Sequence, residues 1–346
     1  MGAVRKTSAT QFMLFLVIAA IVLGEFAMLV VYLLVEAGVP QGIFTSLWFV
    51  IFLQFFRLLL PVFIWLRFKK ESFKSYLPAH KLDIVSYVYI FFLTLLAMPA
   101  VMLVSGITTL FVDNSAAELL ETLSDAGNPW WLMMLAIAVT PAVVEELVFR
   151  GYIQAIQRGT VIKICILNGF LFAIMHLDLH QFAYTFIVGA GWAYLVYITK
   201  SIWAGIFSHL IMNGSQVTLM YLSTQGGGGT SEVAGEAQTL AQAMYDAFYY
   251  TDPEMAIRMY EFFSNVRPEL VAIVIIGIIA IPTTVGAVFV FRAFLGHTRS
   301  RKEQHALGVE TEIDDKKAEE EAPVKRVDWY LIGVIAIYVL VAVVLR

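Results

Sequence analysis

The sequence predicts an all-α protein: a polytopic transmembrane helical bundle of about nine spans, with its N-terminus in the cytoplasm. Three observations predict it. Of 346 residues, 60% are hydrophobic and only 14% charged, where a water-soluble domain carries about 25% charged residues. Apolar runs recur at the length of about 20 residues that a helix needs to cross the hydrocarbon core. When loops, counted with the span ends that border them (150–163 and 292–328 among them), are assigned to alternating sides, 19 of the 23 Lys and Arg fall on one side, the bias expected of cytoplasmic loops.

The runs are 12–35, 43–66, 84–112, 130–157, 161–179, 181–199, 202–222, 268–292 and 329–345. The first follows Arg5 and Lys6 and is too long for the apolar core of a cleaved signal peptide, so it is expected to remain as a span. Connections near 160 and 180 are very short. Residues 1–129 then form a set of N-terminal transmembrane helices, and 130–222 form a polar-bearing core. Residues 223–267 make an extracytoplasmic loop. In it, Asp252 and Pro253 read as N-cap and first helical position, and Met255, Met259 and Phe262 recur at helical spacing. An interfacial helix is expected there. Residues 268–346 supply the last two spans, joined by a charged cytoplasmic linker at 296–328 that contains "DDKKAEEEAPVKR".

Several classes drop out. A net charge of −4 offers no basic footprint for nucleic acid. Cys165 stands alone, so neither an intrachain disulfide nor a cysteine zinc site can form. The expected setting is a cell inner membrane, with lipid as constant partner; oligomeric state is not encoded legibly.

The stretch "PAVVEELVFRGY" places Glu145, Glu146 and Arg150 inside an apolar span. Each such charge costs about 2.5–3.5 kcal/mol at a helix centre unless paired and turned inward. At 100° per residue, Glu146 and Arg150 share a face and pair at i, i+4, which leaves Glu145 without a local partner. In the next run, "FLFAIMHLDLH" carries His176. An antiparallel hairpin folded at "QRGT" (157–160) sets His176 level with Glu145. In the span 202–222, "SHLIMN" puts His209 and Asn213 on one face. Ser208 is expected to satisfy its hydroxyl on the preceding turn. Asp178 and His180 are expected near the outer edge, in reach of water. Glu25 and Arg57 are isolated span charges, read as structural or snorkelling.

Taken one at a time, these residues are ordinary helix–helix hydrogen-bond partners. Together they suit hydrolysis. A carboxylate beside a histidine can hold and deprotonate water, and a second histidine with an asparagine amide can donate to an oxyanion. The same Glu145, His176 and His209 could instead ligate a divalent metal such as zinc. The HExxH and GxSxG signatures are absent.

In order and on consecutive spans, "EELVFR", "FAIMH" and "HLIMN" fit EExxxR, FxxxH and HxxxN. They resemble the CPBP family, the type II CAAX prenyl proteases and bacteriocin-processing (Abi-like) membrane proteases. The resemblance covers about residues 130–222. It implies that Glu145 and His176 activate water, that His209 and Asn213 serve the oxyanion (or His209 a metal), and that Glu146 and Arg150 support them. The expected activity is an intramembrane endopeptidase acting on a membrane-associated, possibly lipidated, protein or peptide. The alternative is a non-catalytic scaffold or immunity protein of the same fold. A transporter is disfavoured by the lack of an inverted repeat.

Overall fold

The computed structural model describes residues 8–225, 242, 249, 253–265, 268–306 and 328–344, and the elements below are those of the described residues. Helices occupy all nine expected segments. Six are long and apolar enough to cross a membrane: α1 (Ala9–Glu36), α2 (Leu47–Lys69), α3 (Ile84–Thr109), α5 (Trp130–Ile156), α7 (Leu179–Thr199) and the window Ala272–Ser300 of α10. The protein is an integral, multi-pass membrane protein. Two apolar helices are shorter, α6 (Val161–Met175) and α11 (Trp329–Ala342). The helix α8 (Ile202–Gln225) has the length but not the hydropathy, because Ser208, His209, Asn213, Ser215 and Gln216 dilute its apolar face.

Helix starts follow the capping chemistry of the sequence. Ser8, Ser46, Asp83 and Asp178 each accept from a backbone N–H in the first turn of the helix they precede. Lys70 and Lys200, both left-handed, end α2 and α7. Helix α4 (Ser115–Asp125), amphipathic and started by Asn114, lies in a stretch where no helix was expected. Asn114 Oδ1 accepts from the Ala117 N–H at 3.1 Å. Its Leu119, Leu120 and Leu123 sit at the i, i+1, i+4 spacing of one apolar face.

The linker expected at 296–328 starts later. Helix α10 (Pro268–Ala306) runs without a break to Ala306, and the charged run beyond it lies outside the described residues. In the segment where an interfacial helix was expected there is a helix, α9 (Pro253–Asn265), beginning at Pro253; the expected cap Asp252 lies outside the described residues.

Helix α6 has 15 residues, about 22 Å at 1.5 Å each, against a hydrocarbon core of about 30 Å. Lys163 is exposed in its first turn. The chain reverses at His176–Leu177–Asp178, and Leu177 takes a left-handed φ of 50°, a conformation costing a non-glycine residue about 1–2 kcal/mol. The turn is covered by protein. Asp178 is 5% exposed and accepts from Ser115 Oγ at 2.6 Å, and the Tyr338 hydroxyl donates to the Asp178 carbonyl at 3.3 Å. His180 is 1% exposed, its Nε2 3.0 Å from Thr109 Oγ1. Asp178 and His180 are thus held by side chains from α3, α4 and α11, not by water at an edge. Irregular backbone at this depth requires such cover, since lipid offers no hydrogen bonds.

Around this core, α10 lies along α3, α6 pairs with α7, and α8 packs against α3, α5 and α7. An aromatic layer from Phe12, Trp65 and Tyr152 ties α1, α2 and α5 together. Trp65 Nε1 donates to the Tyr152 hydroxyl at 3.0 Å, and the Phe12 and Tyr152 rings meet edge-on at 4.7 Å.

Candidate active site

Helix α5 is not a regular α-helix. Two wider, π-helical segments, Met134–Val139 and Leu147–Ile153, bracket the α-helical turns Thr140–Glu146. Such segments cluster at functional sites. The cause is local. Pro141 has no N–H to give the Ile137 carbonyl four residues back, and three carbonyls of the first wide segment are met by side chains instead. Thr140 Oγ1 donates to Leu135 O at 2.7 Å, Gln54 Nε2 to Ala136 O at 2.8 Å, and Asn213 Nδ2 to Ile137 O at 3.1 Å. One proline thereby binds α5 to both α2 and α8.

The two glutamates face different partners. Glu146 is fully buried, and its Oε1 accepts from Arg150 Nη1 at 2.7 Å and from His209 Nδ1 at 3.2 Å. Arg150 also donates Nη2 to the Gly189 carbonyl at 2.8 Å, and its guanidinium lies 4.5 Å over the Phe172 ring. Glu145 is 20% exposed, and its Oε2 lies 3.9 Å from His209 Nε2. The expected i, i+4 pair is present; its reach to His209 was not foreseen. Gly205, four residues before His209 on α8, makes room for it. A Cβ at 205 would overlap Glu146 Oε2.

Hydrogen-bond logic fixes both imidazole tautomers. His176 Nδ1 sits 2.9 Å from the Phe172 carbonyl, which can only accept, so Nδ1 carries the proton and Nε2 is left basic. His209 Nδ1 faces a carboxylate, so the same tautomer holds. Its Nε2 accepts from Asn213 Nδ2 at 3.2 Å. The His209 ring is stacked on Trp192 at 4.1 Å and 19°, and Phe172 closes its edge at 6.1 Å. Trp192 is itself held, its Nε1 donating to Ser208 Oγ at 2.9 Å, while Ser208 Oγ lies 2.7 Å from Thr94 Oγ1. Ser208, expected to be satisfied on its own helix, instead ties α8 to α7 and α3.

Glu145 and His176 line one cavity of about 330 Å³ with Gln54, Arg57, Phe149 and Phe172 among its walls. Glu145, His176, His209 and Asn213 therefore come together from α5, the α6 terminus and α8. Their contacts differ from the expected ones in two ways. The imidazole at ion-pair distance from Glu145 is His209, while His176 shares the cavity wall with it. Asn213, expected to donate to an oxyanion, already gives its amide hydrogens to Ile137 O and His209 Nε2. As for a metal, His209 Nε2 has its lone pair taken by Asn213, and among the described residues no three His, Cys, Asp or Glu side chains form a set that could hold an ion. The arrangement does not fit the expected ligand set, and no step below is routed through a metal.

Missed from the sequence were Gly205, Trp192 and Gln54. Gly205 had a readable signal, since Gly205, His209 and Asn213 recur at i, i+4, i+8 on α8. Arg57 was read as structural or snorkelling. In the structure it points into protein, with Nε donating to the Ala20 carbonyl at 3.1 Å.

Fold and site together define a membrane-embedded helical bundle with a buried Glu–Arg–His clasp beside a Glu- and His-lined cavity. Within this module, residues 127–215 match the family described as type II CAAX prenyl endopeptidase Rce1-like. The chain is also 33% identical over 85 residues to a Bacillus subtilis (strain 168) protein named "Putative membrane peptidase YdiL". That match covers 24% of this chain and 34% of the relative, so the chain spans about a third of that protein's length. No solved structure matches the chain.

Proposed function

We propose that the protein is an intramembrane endopeptidase that hydrolyses a peptide bond of a membrane-associated, lipid-modified protein or peptide. The observation that carries this reading is that Glu145 lies 3.9 Å from His209 Nε2 and lines one cavity with His176. The matched family and the relative named as a peptidase support it.

In this reading Glu145 and the basic Nε2 of His176 hold a water molecule, and Glu145 takes its proton as the oxygen attacks the scissile carbonyl. Glu145 passes this proton to His209 Nε2, 3.9 Å away, which turns from acceptor to donor while the buried Glu146 carboxylate on its Nδ1 offsets the new charge. The same protonation ends its acceptance from Asn213 and frees one amide hydrogen. Two donors then face the oxyanion. As the intermediate collapses, His209 gives the proton back through Glu145 to the leaving amine, so that the C–N bond breaks to a carboxylic acid and an amine and both side chains return to their starting state. Glu146 and Arg150 position His209 and do not touch substrate. The charge bias of the loops supports a cytoplasmic N-terminus.

Cleavage of membrane-reconstituted substrate should be lost in Glu145→Ala and in His176→Ala while both variants fold. Unchanged cleavage in both would remove the assignment. Elemental analysis of the purified protein, with cleavage measured with and without a chelator, tests the metal-free route. Activity that falls with chelation and returns with zinc would overturn it.

A further inference from the structure

Hydrolysis as proposed puts a positive charge on His209, in a place where water does not solvate it: the residue is 2% exposed. The carboxylate on its Nδ1 is only partly available, because Glu146 Oε1 also accepts from Arg150 Nη1 at 2.7 Å. Glu145 is the other counter-charge, but at 3.9 Å from Nε2 it stands beyond hydrogen-bond reach. The rest of the surroundings is aromatic. Trp192 lies flat on the His209 ring, with centroids 4.1 Å apart and planes 19° from parallel, and Phe172 meets the ring edge-on at 6.1 Å. Arg150 is lined the same way, its guanidinium carbon 4.5 Å from the Phe172 centroid and 5.3 Å from that of Trp192.

A stack of this kind can be packing alone, but the wiring of Trp192 favours a cation. Thr94 has one hydroxyl hydrogen and gives it to the Ile90 carbonyl at 2.7 Å, so in the 2.7 Å contact between Thr94 and Ser208 the serine donates. Ser208 Oγ in turn accepts from Trp192 Nε1 at 2.9 Å. Every proton in the chain from Trp192 through Ser208 and Thr94 to Ile90 therefore points away from the indole. Donors in such a chain polarise one another, which leaves more negative charge on the indole and deepens the potential of its face. Tryptophan already offers the strongest face of the aromatic side chains to a cation. We propose that Trp192 is a positioning residue for the reaction: its face stabilises His209 as the imidazolium that the tetrahedral intermediate needs. The resting imidazole is neutral and gains much less from the same face, so the interaction lowers the barrier without tightening substrate binding. The proposal rests on the peptidase reading, since that reaction is what charges His209. Trp192 acts through His209 and touches no reacting atom.

The test replaces Trp192, in the full-length protein in liposomes, with tryptophan analogues that carry a rising number of ring fluorines. Fluorine drains the π face with little change of shape, so the packing is kept. Turnover of a fluorescent, farnesylated peptide should slow stepwise along the series while KM holds. At the most fluorinated ring kcat should be about twofold to thirtyfold below that of the wild type, the range of a cation–π contact from exposed to desolvated. Trp192→Phe should keep part of the rate and Trp192→Leu should lose more. The same analogues at exposed Trp203 should leave both constants unchanged. A kcat that stays flat along the Trp192 series overturns the proposal. So does a change confined to KM, or an equal slowing from the Trp203 series. The fluorinated proteins keep the ring and its N–H, so they decide even if Trp192→Leu does not fold. Failure of the peptidase reading has a different signature: the unfluorinated protein does not cleave, or Glu145→Ala and His176→Ala both cleave as it does. Either result removes this proposal as well.

Discussion

Neutralising each of the adjacent glutamates should separate holding the site from using it. In Glu146→Gln, a guanidinium that is 1% exposed loses the carboxylate at 2.7 Å and keeps the Gly189 carbonyl. Removing one partner of a buried ion pair costs about 3–5 kcal/mol. Glu145 is 20% exposed with a single charge contact at 3.9 Å, so Glu145→Gln should cost less than about 1 kcal/mol. At about 2–4 °C per kcal/mol, Glu146→Gln should lower the Tm by about 6–12 °C or more, and Glu145→Gln by less than about 4 °C. The chain supplies its own reporter. Cys165 is the single cysteine and is 6% exposed, so a thiol-reactive dye reads unfolding in detergent without added labels. Peptide cleavage should vanish in Glu145→Gln despite its near-native Tm. Equal thermal losses in the two variants, or a harmless Glu146→Gln, would refute the division of labour.

Gly205→Ala forces a Cβ onto Glu146 Oε2 and should cost about 1–3 kcal/mol by overpacking, with loss of cleavage. Gly191→Ala is the control: its Cβ meets nothing within 4 Å, and unfolding temperature should hold or rise slightly. Ser208→Ala leaves the Trp192 N–H buried without its acceptor at 2.9 Å. A cost of about 1–3 kcal/mol follows, visible as a lower Tm together with a changed near-ultraviolet dichroism of the tryptophans. An unchanged spectrum would mean that Ser208 does not orient the indole.

The fold was largely legible because bilayer thickness and backbone hydrogen bonding leave a membrane chain few options. Apolar run lengths located a helix in every expected segment, six of them long and apolar enough to span, and the loop charges gave a definite orientation to test. The amphipathic α4 was passed over because a search for apolar runs does not register a helix half of whose face is polar. The end of α10 was misplaced for a related reason. Charge at 299–303 was read as a break, yet Arg and Lys prolong a helix past the membrane without strain. In the site, the i, i+4 arithmetic that paired Glu146 with Arg150 held. The partners of Glu145 did not follow from a helical wheel, because the wide segments of α5 depart from 100° per residue and α6 stops at Met175. Trp192 could not be singled out from seven tryptophans; only the tertiary stack on His209 distinguishes it.

The brevity of α6 has a consequence for how the hairpin sits. Helix α7 leaves the same turn with 21 residues, about 31 Å, enough to cross the hydrocarbon core of about 30 Å. If α7 crosses from the turn, the missing length of α6 falls at its Val161 end, where the exposed Lys163 can carry its ammonium out to the headgroups.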